Sequence, residues 1–233
     1  MKNFNYHSAK NSKEATKLSS NKSAYLAGGM TTLPSMKLGL ASYSDIIDIK
    51  NIKDLSGIKV SGKSLKIGAI TKHADVASSK EVKKTIKSLS DLADGIGDPQ
   101  VRNRGTIGGS LVHADPAADW ISALIAADAN VVIVDRQGQH FFKLSDFIRG
   151  PFTTGIGEEK ILSFIEIPKF TDRARWSYLK SCRKPGEFAQ AIAVALRDEN
   201  AGTFRLVAGA TNSAPRVTEC SLAGPSQEEI SAL

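Results

Sequence analysis

Residues 102–120, RNRGTIGGSLVHADPAADW, decide the fold of this chain. They place the adjacent glycines Gly108 and Gly109, a histidine and two aspartates in one short run, directly before the apolar stretch ISALIAADANVVIV. Adjacent glycines let the backbone turn tightly and let an anion approach amide N–H groups without a Cβ in the way. The pattern therefore predicts a ligand-binding turn that leads into a buried helix.

A second glycine pair stands nearer the N-terminus, in YLAGGMTTLP at residues 25–34. Here Gly28 and Gly29 follow a short β-like run and precede Thr31, much as residues 106–110, TIGGS, combine two glycines with hydroxyl side chains. Each run alone is also typical of an ordinary turn at the end of a strand. Two such turns facing one another predict a cradle for a diphosphate, with N–H donors and a hydroxyl from each.

Other readings of these residues are disfavoured. No lysine follows the glycines as in a P-loop, and neither run continues into the three-glycine pattern of a Rossmann turn. A hydrolase with Ser110 as nucleophile is disfavoured, because the sequence has no G-x-S-x-G elbow. A metal site made of His113, Asp115 and Asp119 is a weaker alternative, because these residues lack the spacing of a helical histidine pair and no cysteine joins them.

The composition is that of a globular protein. The chain has 233 residues, of which 41% are hydrophobic and 24% charged, enough for a core without disulfides. Its two cysteines, Cys182 and Cys220, are too few for a disulfide scaffold or a cysteine-bound iron–sulfur cluster. The absence of a long apolar run and of a secretion signal predicts a cytoplasmic protein without a membrane span.

The net charge of +7 comes from lysines in the first hundred residues. These lysines are scattered, without interleaved aromatic residues or a known binding module, so no nucleic-acid partner is predicted. A lysine-rich solvated surface explains the excess charge.

Hydrophobic periodicity predicts alternating helices and strands. The N-terminus has a βαβ-like start, with Ser12 capping its helix. A helix over residues 80–94 is expected to begin at a capping box of Ser78 and Glu81, and a buried helix follows the second glycine run. Further predicted strands are a hairpin around residues 135–138 and a run closed by Pro168.

A separate small sheet is predicted beyond residue 170. Three strand-length runs, RWSYLKSC, FAQAIAVALR and TFRLVAGAT, indicate an antiparallel meander. Ser226 and Glu229 form another capping-box pattern within about one turn of the last residue, so we expect the beginning of a longer helix there.

The motifs together resemble those of one known family. LAGGMTTLP, IGDPQVRNRGTIGGSLVHADPAADW, GEEKILSFIEIP and RKPGEFAQAIAVAL stand in the order found in the FAD-binding medium subunits of molybdenum hydroxylases, the carbon monoxide dehydrogenase and xanthine dehydrogenase group. The resemblance covers essentially the whole chain.

The resemblance implies an α+β fold in three units. Two subdomains, residues 1–57 and 58–170, would form a two-subdomain FAD-binding fold of the PCMH (vanillyl-alcohol oxidase-like) type, with FAD between them. Residues 171–233 would form a small, apparently truncated C-terminal α+β domain with a three-stranded antiparallel sheet.

The resemblance also implies the cofactor-binding residues. Both glycine runs would hold the FAD pyrophosphate through their backbones, and Asp119 would bind the sugar or ribityl part unless it serves as a helix N-cap. Leu162 and Lys180 match positions near the isoalloxazine ring, and Phe152 stands where the carbon monoxide dehydrogenase type has a tyrosine. The implied set is Leu26, Ala27, Gly28, Gly29, Met30, Thr31, Thr106, Ile107, Gly108, Gly109, Ser110, Asp119, Leu162 and Lys180.

Three aromatic residues are predicted to belong to the core instead of the site. Trp120, Trp176 and Phe188 could stack on a flavin or nucleotide, but each falls within a helix or strand pattern. We therefore leave them out of the set.

The implied function is electron transfer with no catalytic side chain. FAD would accept electrons from a large molybdopterin-binding subunit through [2Fe-2S] clusters on a small iron–sulfur subunit, and pass them to NAD⁺ or a quinone-type acceptor. Two alternatives stay open: a standalone PCMH-type flavin oxidoreductase, and a non-catalytic member that has lost FAD. The two cysteines exclude the extra four-cysteine cluster that one branch of the family carries.

Overall fold

A computed structural model describes residues 1–157, 159–231 and 233 of the chain. The first 48 residues form a parallel sheet of three strands in the order β1-β3-β2. This βαβ-like start confirms the prediction, but Asn11 instead of Ser12 caps the first helix, since its side chain accepts from the Glu14 amide at 2.8 Å. The elements are β1 (Asn5–Ser8), α1 (Ser12–Leu18), β2 (Ser23–Leu26), α2 (Thr32–Lys37) and β3 (Asp45–Asp48).

The middle of the chain builds an antiparallel sheet of five strands, in the order β4-β5-β10-β6-β7. The predicted hairpin and the strand that ends at Pro168 are both present, as β6–β7 and β10. The strands are β4 (Ile58–Ser61), β5 (Ser64–Gly68), β6 (Asn130–Val134), β7 (Gln139–Lys143), a small β8 (Ile148–Gly150) and β9 (Thr153–Thr154) pair, and β10 (Ile161–Pro168).

The helices between β5 and β8 in the sequence include several that contact strands of this sheet. They enclose the larger hydrophobic core together with the sheet. They are α3 (His73–Ser78), α4 (Lys80–Thr85), α5 (Lys87–Asp94), α6 (Pro99–Arg102), α7 (Ile107–His113), α8 (Asp119–Ala126) and α9 (Leu144–Phe147).

The predicted single helix over residues 80–94 is two helices, because the backbone leaves the helical region at Ile86, with φ −148° and ψ 76°. The break brings Ile86, 3% exposed, into the core. The predicted cap is also displaced by one residue. The Ser79 hydroxyl accepts from the Val82 amide at 3.2 Å, whereas the Ser78 hydroxyl donates to the Ala74 carbonyl at 2.8 Å.

Helix α8 is buried along all eight residues, as its apolar sequence predicted. It packs on α7 and on two strands of the C-terminal sheet. Trp120 is completely buried in it, which confirms its assignment to the core.

The C-terminal sheet contains the three predicted antiparallel strands and a fourth that the sequence did not reveal. The missed strand is short, RVTE, and its side chains are mostly exposed, so it lacks an alternating apolar pattern. Ser226 and Glu229 do form the predicted capping box, with the Glu229 amide donating to Ser226 Oγ at 3.1 Å. The elements are β11 (Ala174–Ser181), β12 (Ala191–Asp198), β13 (Thr203–Gly209), β14 (Arg216–Glu219) and α10 (Gln227–Ser231).

The cores join the three sheets. The larger core extends from the five-stranded sheet through α8 to Ile192, Val194 and Val207 of the C-terminal sheet. A smaller core packs against the N-terminal sheet. Within the residues that the structure describes, no helix is long and apolar enough to cross a membrane.

Candidate functional site

A cleft of about 480 Å³ lies between the N-terminal sheet and the helices beside the five-stranded sheet. Its volume is in the range of small-molecule and cofactor sites, and its walls are mainly apolar. The structure brings most of the predicted site residues to this one cleft. Those that line it are Ala27, Gly28, Gly29, Met30, Thr31, Thr106, Gly108, Gly109, Ser110, Asp119 and Leu162.

The first glycine turn joins β2 to α2 and exposes its backbone to the cleft. The amide N–H groups of Gly28, Gly29, Met30 and Thr31 have no acceptor among the described residues. Gly29 has φ +76°, a left-handed conformation that glycine adopts without strain. Successive unpaired amides around a left-handed residue form a concave nest for an anion. This turn can therefore hold a phosphate through its main chain alone.

The two glycine turns meet by backbone contact. A Cβ built on Gly28 would overlap the carbonyl oxygen of Arg104, two residues before the second turn. The Arg104 guanidinium also donates to the Gly28 carbonyl oxygen at 3.4 Å. Only glycine at position 28 lets the Arg104 carbonyl come this close, so Gly28 sets the distance between the two glycine turns on either side of the cleft.

Four of the five amides of the second glycine turn have acceptors within the protein, so this turn offers fewer N–H donors than predicted. Thr106 is the N-cap of α7, and its hydroxyl and carbonyl oxygens accept two of the amides. The Ile107 amide donates to Thr71 O at 3.1 Å and the Gly108 amide to Ala69 O at 2.8 Å. The Gly109 amide donates to Thr106 Oγ1 and the Ser110 amide to Thr106 O, both at 3.1 Å.

The two glycines of this second turn have different surroundings. A Cβ on Gly108 would lie 2.5 Å from the Ala69 Cβ and 2.6 Å from its carbonyl oxygen, so this glycine lets α7 pack on the chain after β5. A Cβ on Gly109 would meet only Thr106 Oγ1, at 2.8 Å, and otherwise open space. Gly109 therefore keeps the floor of the cleft free of side chains.

Asp119 lies at the wall of the cleft in a buried ion pair. Its carboxylate accepts from Lys180 Nζ at 2.9 and 3.1 Å and from the Tyr178 hydroxyl at 2.8 Å. The side chains of Asp119 and Lys180 are 8% and 10% exposed. Burial, with the nearby Asp119 charge second, raises the pKa of Tyr178, which stays a hydrogen-bond donor. The alternative role of Asp119 as an N-cap is wrong, because Ala118 holds that position.

Three residues of the predicted set do not line the cleft. Leu26 ends β2 and supports the first turn, with its Cδ1 3.2 Å from a Cβ built on Gly29. Ile107 is fully buried in the core. Lys180 reaches the cleft only through Asp119. Phe152 also lies outside it, 61% exposed and packed on His113 with ring centroids 5.2 Å apart.

The assignment of Phe188 to the core is wrong, whereas that of Trp176 is supported by its stacking on Phe170 at 5.9 Å. Phe188 is 65% exposed and lines the cleft. It follows the turn at Gly186, which has φ +86° and whose carbonyl accepts from the Gly97 amide at 3.0 Å. The Pro185–Gly186 pair predicts such a turn, and a turn exposes the residues that follow it.

Sequence reasoning also missed His73, for which no sequence pattern gave a signal. His73 begins α3, is 5% exposed and lines the cleft beside the second glycine turn. Its Nδ1 accepts from the indole Nε1 of Trp120 at 3.1 Å. Burial lowers the pKa of His73 from 6.5 to about 4, so the ring is neutral at physiological pH.

A nest of unpaired amides, a cleft surface at Gly109 free of side chains, and mainly apolar walls together are features of a dinucleotide-binding protein. These features fit FAD, because the nest suits its diphosphate and the open floor at Gly109 leaves room that any larger residue would fill.

Comparison with known proteins identifies the family. Residues 2–170 match the family model of the FAD binding domain in molybdopterin dehydrogenase, and the chain belongs to this family. Its fold is similar to that of a solved carbon monoxide dehydrogenase from Hydrogenophaga pseudoflava that lacks the Mo-pyranopterin moiety of the molybdenum cofactor. The TM-score is 0.92 at 33% identity, over 99% of this chain and 84% of that chain.

Curated relatives agree with this assignment. The carbon monoxide dehydrogenase medium chain of Hydrogenophaga pseudoflava is 36% identical over 216 residues, which are 91% of this chain and 75% of the relative. The glyceraldehyde dehydrogenase medium chain of Sulfolobus acidocaldarius is 33% identical over 217 residues, 91% of this chain and 77% of the relative. The resemblance to FAD-binding medium subunits and the assignment of an FAD-binding domain are thus confirmed.

Proposed function

We propose that this chain is the FAD-carrying electron-transfer subunit of a molybdopterin-dependent dehydrogenase or hydroxylase. Electrons would originate at a molybdenum cofactor on a large partner subunit and arrive through iron–sulfur clusters on a small one. Bound flavin would supply one- and two-electron redox chemistry and pass electrons to an acceptor such as NAD⁺ or a quinone. Family membership and the medium chains among the relatives support this proposal.

The single observation that carries the proposal is the nest of four unpaired amides at residues 28–31, held against the second glycine turn. We propose that it binds the FAD diphosphate. Ala27 precedes the nest, and Thr106 and Ser110 add hydroxyl groups from the opposite side.

Lys180 and Asp119 have distinct roles in the proposed site. The carboxylate of Asp119 lies at the cleft wall, where it can accept hydrogen bonds from sugar or ribityl hydroxyl groups. Lys180 compensates the charge of that carboxylate and links the C-terminal sheet to the cleft. Leu162, 4% exposed, offers an apolar surface to a ring.

The division into units of residues 1–57, 58–170 and 171–233 is part of the proposal, as is a location in the cytoplasm. The three sheets fall within these ranges. No nucleic-acid partner is proposed.

Reconstitution tests the cofactor assignment directly. Full-length protein mixed with FAD and passed through a desalting column is expected to retain near-stoichiometric flavin, seen by its near-ultraviolet and blue absorbance. A chain that stays colourless after loading would support the alternative of a member that has lost FAD.

Assembly tests the subunit role. Affinity-tagged chain expressed with its neighbouring genes is expected to co-purify with a molybdopterin-containing subunit and a two-cluster iron–sulfur subunit. If the FAD-loaded chain instead oxidised small alcohols or sugars by itself, the standalone flavin oxidoreductase would be the better description.

A further inference from the structure

His73 is the one buried histidine that faces the cleft, among the residues that the structure describes. Its backbone amide donates to the Gly105 carbonyl at 3.0 Å, which fixes the start of α3 to the chain just before the second glycine turn. Its side chain is 95% buried, as a relative exposure of 5% implies, and the imidazole forms part of the cleft lining. The ring therefore has a fixed place beside the turn.

The contact with Trp120 fixes which nitrogen of this ring carries the proton. An indole N–H can only donate, so His73 Nδ1, 3.1 Å from Trp120 Nε1, must act as an acceptor. A neutral imidazole with an unprotonated Nδ1 carries its hydrogen on Nε2. A second proton on Nδ1 would place two N–H groups against each other. Burial opposes that charged form as well.

The Nε2–H group is left without a protein partner. Nδ1 makes the one side-chain hydrogen bond of this ring within the described part of the chain, and Nε2 keeps solvent access in the cleft. A Cβ on Gly105 would lie 2.8 Å from Nε2, so glycine at this position keeps the group uncovered. A fixed N–H donor that has no protein acceptor and opens onto the cleft can be completed by a ligand bound there.

The position of this donor indicates which part of a dinucleotide it meets. Gly105 directly follows Arg104, whose carbonyl touches Gly28 of the amide nest. On the proposed function the FAD diphosphate would bind at this junction, because Gly28 belongs to the amide nest, and diphosphate oxygens only accept hydrogen bonds. Asp115 and Asp119 are the carboxylates of the cleft lining, and both have donors of their own.

We propose that His73, held by Trp120 as the Nε2–H tautomer, is a cofactor-binding residue that donates an uncharged hydrogen bond to a diphosphate oxygen of FAD. The inference rests on the proposed function, because it requires FAD in the cleft. It adds to the amide nest a side-chain donor on the opposite side of the diphosphate. Trp120 acts as a positioning residue, since its indole N–H donates to Nδ1 and so holds the imidazole in this tautomer.

The test compares ligands that share the diphosphate with one that lacks it. His73→Leu removes the donor, His73→Gln restores a neutral N–H at a similar reach, and affinities for FAD, ADP and riboflavin are measured by calorimetry. We expect His73→Leu to weaken FAD and ADP by the same factor, about 10- to 100-fold, the size of one hydrogen bond to a charged acceptor. Riboflavin affinity should not change, and His73→Gln should recover most of the loss.

A matched control removes an imidazole elsewhere. His140, on β7, pairs with Asp135 outside the cleft, so His140→Leu should leave all three affinities unchanged. If His73→Leu weakened FAD but not ADP, the donor would serve the flavin half and the proposal would be overturned. Unchanged affinity for both ligands would overturn it too, whereas wild-type protein that binds no FAD at all would instead refute the proposed function.

Tautomer assignment keeps the proposal testable even if His73→Leu does not fold. In wild-type protein labelled with ¹⁵N-histidine, we expect His73 to show a protonated Nε2 and an unprotonated Nδ1 at pH 7, and the Nε2 proton resonance to shift when ADP binds. A protonated Nδ1, or a resonance that ADP does not move, would overturn the assignment.

Discussion

At the scale of single residues, the two glycine turns share a sequence pattern but differ in their hydrogen bonds. Thr106 occupies the N-cap of α7 and satisfies amides of its own turn, whereas Thr31 makes no such cap bond. The sequence could predict that both glycine pairs line one site. It could not predict which amides are free, because that depends on Ala69 and Thr71, which are far from the turn in sequence.

The contrast between Gly108 and Gly109 gives a first prediction. Gly109→Ala places a methyl group in the cleft and 2.8 Å from Thr106 Oγ1, so we expect FAD affinity to fall at least about tenfold and the disturbed N-cap to cost about 1 kcal/mol of stability. Gly108→Ala overpacks the contact with Ala69, so we expect a loss of about 1–3 kcal/mol in the free energy of unfolding. Flavin fluorescence titration and urea unfolding separate the two effects. Equal FAD affinity in Gly109→Ala and wild type would contradict the claim that the space beside Gly109 belongs to the FAD site.

The buried pair of Asp119 and Lys180 gives a second prediction. Lys180→Met leaves the Asp119 carboxylate without a cation in a site where both side chains are at most 10% exposed. We expect the free energy of unfolding to fall by about 3–5 kcal/mol. The double variant Asp119→Asn with Lys180→Met should recover much of this loss. A double variant no more stable than Lys180→Met would show that the charge of Asp119 is not the cause.

At the scale of secondary-structure elements, periodicity predicted most helices and strands but not their interruptions. The apolar residues of 80–94 repeat at helical spacing through the break, since Ile86 and Leu89 are both buried in the same core. The break depends on how that core is filled, and so does not show in the pattern. Strand β14 was missed for the opposite reason, because an edge strand with exposed side chains needs no apolar alternation.

The helix cap gives a third prediction with its own control. Ser79→Ala removes the acceptor for the Val82 amide at the start of α4, and should cost about 1 kcal/mol of stability. Ser78→Ala removes a hydrogen bond from a hydroxyl to the Ala74 carbonyl, which water can replace because residue 78 is exposed, and should cost less. Thermal unfolding of both variants compares them. A larger loss in Ser78→Ala would favour the cap that the sequence predicted.

At the scale of the whole molecule, the order of the three sheets and the place of the cleft follow from contacts distant in sequence. The two glycine motifs indicated a diphosphate cradle, and the family resemblance of four motifs implied FAD. Phe188 and His73, however, come to the cleft through the turn at Gly186 and the packing of α3 against Gly105. The Pro185–Gly186 pair indicates the turn but not its contact with Gly97, and the packing of α3 against Gly105 leaves no local pattern. This is why the predicted set contained the backbone of the site and lacked these two side chains.

The buried His73 also gives a prediction for the whole protein. Its pKa is lowered from 6.5 to about 4 in the folded chain, so between these values the unfolded chain binds a proton that the folded chain does not. The contribution of neutral His73 to the free energy of unfolding is therefore fully present above pH 6.5. It is lost as the pH falls toward 4. The loss is about 3 kcal/mol.

Urea unfolding of the FAD-free chain between pH 7 and pH 4 measures this effect. His73→Gln cannot titrate, so its free energy of unfolding should decline less over this interval than that of wild type. Parallel curves for the two proteins would show that the imidazole is not held neutral by folding.

The nest at residues 28–31 offers a ligand backbone N–H groups, and every amino acid except proline carries one. Saturation mutagenesis should therefore find positions 30 and 31, whose side chains are exposed, tolerant of nearly every replacement, while positions 28 and 29 tolerate none. A descendant of this chain could therefore change the side chains at positions 30 and 31, and with them the polarity around its flavin. The main-chain hydrogen bonds that bind the cofactor would be kept.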